Sequence, residues 1–224
     1  MADVLSPRKS ESRRQHRLNV AAGASFVLGG ALFALGACLA QLGATSLTTV
    51  NVTYLVGGFF FSAGGYISVV IAGGDGRSRE WYSAVVLFLG TLFFAVSLVA
   101  AFAQGLTPRQ SNGWIWLPDI TGCVCFLVSG YLALLGVGGG RLRVRGRVLA
   151  WWIAAVNQLG SVLFFLAGLA AFTRPATDEA INVGLVNWGT FAGAACFLVA
   201  GFLQALDTPT PKRTVGQTRH DTDQ

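Results

Sequence analysis

Gly122-Cys123-Val124-Cys125-Phe126-Leu127-Val128-Ser129-Gly130-Tyr131 carries a Gly-x3-Phe-x2-small pattern that returns five more times in the chain. The other copies begin at Gly29 (with Phe33 and Gly36), Gly57 (Phe61, Gly64), Gly90 (Phe94, Ser97), Gly160 (Phe164, Ala167) and Gly193 (Phe197, Ala200). Residues at i, i+4 and i+7 share one face of an α-helix, so each copy presents a notch, an aromatic knob and a second notch in one stripe. In lipid, hydrophobicity does not drive helices together. Small residues that let backbones approach, and the van der Waals contact that follows, do that work. The pattern therefore predicts that a Phe from one helix fills the Gly notch of its neighbour. Gly, Ala and Phe are common in membrane helices, so one match would carry nothing. Six matches, one in each apolar run, point to duplication.

Composition agrees with a bilayer setting. The 224 residues are 53% hydrophobic and 12% charged, with a mean hydropathy of +0.58, more apolar surface than one soluble core of this size can hide. Charges are confined to short islands, and between them lie apolar runs long enough to cross about 30 Å of hydrocarbon. The runs show no period-2 alternation, which favours helices over a barrel. The expected spans are residues 18–42, 50–72, 81–106, 114–137, 148–172 and 183–206. The fold class is accordingly all-α: a polytopic bundle of six transmembrane helices built as three duplicated hairpins, 18–72, 81–137 and 148–206. A two-helix unit preserves direction, so the hairpins are expected as parallel repeats around an axis along the membrane normal.

The ends read as unstructured: residues 1–17 as a basic cytoplasmic lead and 207–224 as a polar cytoplasmic tail. Leu35-Gly36-Ala37-Cys38 loosely resembles a lipoprotein cleavage box behind a basic lead. The first apolar run is too long for a signal core, however, and bears the same Gly29/Phe33/Gly36 stripe as the others, so it is read as a retained helix. Of the 16 Lys and Arg, all but Arg109 and Arg174 fall in the two tails and the two loops between hairpins. This positive-inside pattern places both termini in the cytoplasm of a bacterial-type plasma membrane. It also accounts for the net charge of +6 without a nucleic-acid partner. Arg141, Arg143, Arg145 and Arg147 alternate in the most basic loop, which serves as a topology determinant and suits anionic lipid. The excess of Arg over Lys suggests a GC-rich bacterial genome.

Polar residues inside the spans are few. Asp119 lies one turn before Gly122, and the equivalent positions are Tyr54, Asn157 and Thr190, with Phe26 and Leu87 in the remaining two spans. An intramembrane carboxylate is costly and by default suggests a function. Pro118-Asp119 falls near the expected start of its span, however, so capping or interfacial placement is the expectation, ahead of an interior hydrogen bond or ion handling. Asn157-Gln158 is read as a bridge between helices, and Asn51 and Asn187 as helix-start caps. Cys38, Cys123, Cys125 and Cys196 all sit in apolar runs without chelating or dithiol spacing and are read as small hydrophobes. His16 and His220 lie in the tails. There is no nucleophile elbow, Walker loop, dinucleotide fingerprint or metal-ligand spacing, so no cofactor, metal site or enzymatic activity is expected.

The last hairpin, Trp151-Trp152-Ile153-Ala154-Ala155-Val156-Asn157-Gln158-Leu159-Gly160-Ser161 through Asn187-Trp188-Gly189-Thr190-Phe191-Ala192-Gly193-Ala194-Ala195-Cys196-Phe197, resembles the YrhK-like domain of bacterial integral membrane proteins. The resemblance implies a membrane bundle and supplies no activity or ligand. From sequence the first functional expectation is a non-enzymatic structural or interaction component of the cytoplasmic membrane. The alternative is a small transporter or channel using Asp119, Asn157, Tyr54 and Thr190.

Overall fold

A computed structural model describes residues 6–73 and 78–207, with side chains from Ser10 onward. Among the described residues six helices are long and apolar enough to cross a membrane: α1 (Ser6–Leu42), α2 (Leu47–Ala72), α3 (Arg79–Ala100), α4 (Pro108–Val137), α5 (Leu149–Ala170) and α6 (Val183–Leu206). The only sheet among the described residues is a two-residue antiparallel ladder, β1 (Thr173–Arg174) with β2 (Glu179–Ala180), in the link between α5 and α6. Each helix packs on the next in sequence, and α6 returns to α1, so the three hairpins close into a ring. The C-terminal end of α6 meets α1 near Asn19 at one end of this ring, here called the terminal end. There Asn19 Nδ2 donates to the carbonyls of Gln204 and Asp207 at 2.8 and 3.0 Å. The links within the hairpins lie at the opposite, loop end.

Several boundaries differ from the sequence expectation. Residues 6–17 continue α1 instead of forming an unstructured lead, because hydropathy marks where the bilayer could begin and not where the helix does. Exposed Glu11 and Arg14 face each other at 3.6 Å one turn apart on this extension. The third helix stops at Ala100 rather than at residue 106: Gly105 has a positive φ of 70° and Pro108 starts the next helix, so the apolar residues between belong to the turn. That next helix begins at Pro108 instead of residue 114, with Thr107 and Gln110 forming a capping box. The expected tail from residue 208, the lead before residue 6 and loop residues 74–77 lie outside the described residues.

The expected Gly–Phe seating is present, and it is reciprocal within each hairpin. A Cβ added at Gly29 would meet the Phe61 ring at 2.5 Å, and one at Gly57 would meet the Phe33 ring at 2.9 Å. In the second hairpin Gly90 faces Phe126 and Gly122 faces Phe94; in the third Gly193 faces Phe164 at 2.5 Å and Gly160 faces Phe197 at 3.4 Å. In each pair an added Cβ would also meet the partner glycine's carbonyl, at 3.0 Å for Gly29 on Gly57, 2.9 Å for Gly122 on Gly90 and 3.0 Å for Gly160 on Gly193. Any side chain at these points would force the helices apart.

The six phenylalanines converge at the ring's centre, each 3–6% exposed. They lie in two layers. Phe33, Phe94 and Phe164, from the odd helices, are mutual edge-to-face neighbours with centroids 5.9–6.4 Å apart. Phe61, Phe126 and Phe197, from the even helices, form the other layer, linked through Phe197 at 5.4 and 5.9 Å. The layers follow from direction: Phe is four residues after Gly, which is towards the loop end in an odd helix and towards the terminal end in an even one. Pairs of this geometry contribute about 0.5–1.5 kcal/mol each beyond simple contact. The residual void among the rings is about 10 Å³ and lined by these six rings, Gly58 and Thr91, at the margin of what one water requires and short of polar partners.

Adjacent hairpins meet through a second small residue, four residues or about one turn beyond the Phe on each even helix. Gly65 lies against Phe88, Gly130 against Gln158, and Gly201 against Phe26 and Val27. The same joint therefore occurs three times, including the closure of α6 on α1. Buried Ser83 and Ser129 add a reciprocal bond across α3 and α4, each hydroxyl donating to the other's carbonyl at 2.9 and 2.8 Å.

The seating predicts a specific coupling. Gly122→Ala should destabilise the bundle by about 1–3 kcal/mol, the usual range for overpacking, in reversible unfolding in detergent. Phe94→Leu, its own partner, should recover part of that loss, while Phe164→Leu from another hairpin should simply add to it. Gly113→Ala, which meets nothing within 4 Å, should be near neutral.

Candidate functional site: a cup above the phenylalanine core

Above the layer of Phe33, Phe94 and Phe164 the ring does not close. A cavity of about 230 Å³ occupies the loop-end half of the bundle, and all six helices contribute to it. Those three rings form its floor. Its walls carry Tyr54, Ser97, Asp119 and Thr190, and its rim is made of helix ends and link residues such as Asn51, Ala101 and Thr173.

Three of the four polar positions singled out from sequence therefore share one site, and Asn157 does not. The reason is again helix direction. Tyr54, Asp119 and Thr190 precede the motif Gly on even helices, which run from the loop end, so that position is on the cup side of the core. Asn157 precedes Gly160 on α5, which runs the other way, and lies in the terminal half with Phe26 and Leu87. Its carbonyl accepts from Ser161 at 3.0 Å. The bridge to α4 is made by its neighbour: Gln158 Oε1 rests on Gly130, buried and without a hydrogen-bond partner, so the contact is a packing one.

Asp119 is not a cap. With α4 starting at Pro108, it stands eleven residues into the helix, roughly 16 Å along the axis at 1.5 Å per residue. Its Oδ2 is laid against α5 at Gly168, where an added Cβ would come within 3.2 Å. Among the described residues no hydrogen-bond donor and no cation pairs with this carboxylate, and its half-buried surface faces the cup. Tyr54 is positioned by packing: its ring fills the second notch of α1 at Gly36, 2.8 Å from where a Cβ would sit, and tilts over Phe33 at 5.3 Å.

The wall around Asp119 depends on further features, among them Trp116, which with Trp114 reads from sequence as an interfacial anchor of the fourth span. Residues Asn112–Trp116 form one π-helical turn, a local widening often found at functional sites. Asn112 clamps the α5–α6 link at Thr173, donating Nδ2 to its carbonyl at 2.8 Å and accepting its N–H at 2.9 Å. Trp116 turns inward and donates Nε1 to the Gly168 carbonyl at 2.9 Å, edge-on to Phe172, whereas Trp114 is exposed as an interfacial anchor would be. Asn51 and Asn187 are also not caps, since Ser46 and Asn182 hold those helix starts. Asn51 Nδ2 instead donates to the Ala101 carbonyl at 2.9 Å and Asn187 Nδ2 to Gln41 Oε1 at 3.1 Å, tying the rim together.

The four cysteines are free, with Cys123 and its Sγ directed to the Phe164 carbonyl at 3.4 Å, and no cluster of metal-binding side chains occurs among the described residues. No family model, no curated protein and no solved structure matches this chain.

An unpaired carboxylate at this depth costs about 2.5–3.5 kcal/mol on insertion scales. Asp119→Asn should therefore leave the thermal midpoint of the ligand-free protein unchanged or raise it. A loss of stability above about 1 kcal/mol would mean that the carboxylate holds a structural contact.

Proposed function

We propose that this chain is a non-enzymatic multi-pass protein of the cytoplasmic membrane that binds a small solute in the cup, as the outward-open form of a transporter. The observation that carries this reading is Asp119, an unpaired carboxylate directed into a cavity that all six helices build. A purely structural component, the first expectation from sequence, would gain nothing from keeping such a group unpaired inside the helix bundle. The reading uses Asp119, Tyr54 and Thr190 and leaves Asn157 out. It also excludes an open channel, because the two phenylalanine layers seal the axis below the cup.

The orientation is part of the proposal. Among the described residues the terminal end carries Arg141, Arg143, Arg145 and Arg147 and every other Lys and Arg except Arg109 and Arg174, which assigns it to the cytoplasm and turns the cup away from the cytoplasm. In the same loop Leu142 and Val144 alternate with the arginines and are 62% and 76% exposed. Trp152 Nε1 donates to the Gly146 carbonyl at 2.9 Å, and the Arg79 guanidinium packs on Gly140. A loop held in this way offers apolar side chains to the headgroup region and arginines to anionic lipid phosphates. We further take the threefold recurrence of the Gly–Phe seat and of the hairpin joint as the product of internal duplication. The third hairpin is assigned to the YrhK-like group on the residues quoted above.

Thiol labelling tests the access pattern. In a variant lacking the four native cysteines, Thr190→Cys should react with a charged, impermeant maleimide applied outside intact cells. Thr91→Cys, 1% exposed at the phenylalanine core, should react from neither side. Labelling of Thr190→Cys only from the cytoplasm, or ready labelling of Thr91→Cys, would contradict the reading.

A further inference from the structure

The cup's chemistry narrows what it can hold, and this step rests on the solute-binding reading above. Beside the Asp119 carboxylate, the wall and floor include five aromatic side chains, Phe33, Tyr54, Phe94, Trp116 and Phe164, and no Lys or Arg. An anion would meet a carboxylate with nothing to compensate it. A sugar or other polyhydroxylated solute would need many convergent hydrogen bonds, and the cup offers chiefly the hydroxyls of Tyr54, Ser97, Ser111 and Thr190. A hard metal cation takes six or more oxygen ligands in the case of calcium and a near-octahedral set in the case of magnesium; a single carboxylate with a few hydroxyls does not supply them. An organic cation fits each feature at once. Its charge pairs with Asp119, and its alkyl surface is covered by aromatic rings, whose faces attract cations by about 0.5–2 kcal/mol each depending on desolvation. The volume sets the size, since about 230 Å³ lies below the roughly 300–1,000 Å³ of sites for drug-sized molecules.

We propose that the cup between Asp119 and the Phe33/Phe94/Phe164 floor is a binding site for a small organic monocation of the alkylammonium class. Asp119 supplies the countercharge, the aromatic floor and Tyr54 enclose the alkyl groups, and Thr190 contributes a hydroxyl from α6. Gly168 is a positioning residue, because its missing side chain is what lets the carboxylate lie against α5 while facing the cup.

The test is calorimetric titration and thermal shift of the full chain in lipid nanodiscs. The probe is tetramethylammonium, and the control is tert-butyl alcohol, a neutral molecule of similar shape. The proposal expects saturable binding of tetramethylammonium, at least tenfold weaker binding of the alcohol, and at least a tenfold loss for the cation in Asp119→Asn with little change for the alcohol. Equal binding of both probes, or full retention of cation binding in a folded Asp119→Asn protein, would overturn the cation assignment while leaving a solute-binding cup intact. Where Asp119→Asn does not fold, the wild-type comparison of the two probes decides. Failure of both probes together with normal outside labelling of Thr190→Cys overturns the alkylammonium assignment alone. Failure of both probes with Thr190→Cys unreactive overturns this assignment and the solute-binding reading together.

Discussion

The structure depends on the close crossing of paired helices at a glycine on each side, where each glycine receives its partner helix's phenylalanine and at least one of the pair faces the other's carbonyl. Without water to drive burial inside a bilayer, contact area must come from backbone proximity and from rings that fill the space left by absent side chains. Both halves of this seat are needed. Phenylalanine without the notch would prop the helices apart, and the notch without phenylalanine would leave a void.

Helix direction converts this repeated seat into an asymmetric interior. The same Gly-x3-Phe stripe places its ring towards opposite ends in odd and even helices, so six rings stack as two layers and not as one. The residue one turn before Gly is likewise sent to opposite halves. Polar side chains at that position on α2, α4 and α6 gather above the core, while the corresponding positions of α1, α3 and α5 fall below it. The result is a sealed middle with a cavity on one side, a form suited to holding a solute and unsuited to continuous conduction. The rim bonds from Asn51, Asn112 and Asn187 then hold the helix ends around the opening.

Much of this was legible in the residues. The number of helices, their all-α character and the pairing of Gly with Phe follow from run length and an eight-residue stripe, because both are local properties that the bilayer reads directly. The site was legible only in part. Asp119, Tyr54 and Thr190 were found by their shared offset from Gly, but that offset says nothing about depth until direction is applied, and Asn157 was grouped with them for that reason. Asp119 reads as a capping or interfacial residue when hydropathy is taken for the helix start. Thr107-Pro108-Arg109-Gln110, a capping box with proline at the first helical position, marked the true start in plain sight. The π-helical turn at Asn112–Trp116 and the inward rotation of Trp116 depend on contacts with Thr173 and Gly168 more than fifty residues away, and no local pattern encodes them.

Ring-to-ring contact between helices that are distant in sequence tests the account most directly. In a sample carrying isotope-labelled phenylalanine in deuterated lipid or detergent, the account predicts nuclear Overhauser cross-peaks between the rings of Phe33 and Phe164 and between those of Phe61 and Phe197, with none from these rings to protonated acyl-chain tracers. Strong cross-peaks from the six rings to acyl chains, with no contact between α1 and α5 or α2 and α6, would contradict it.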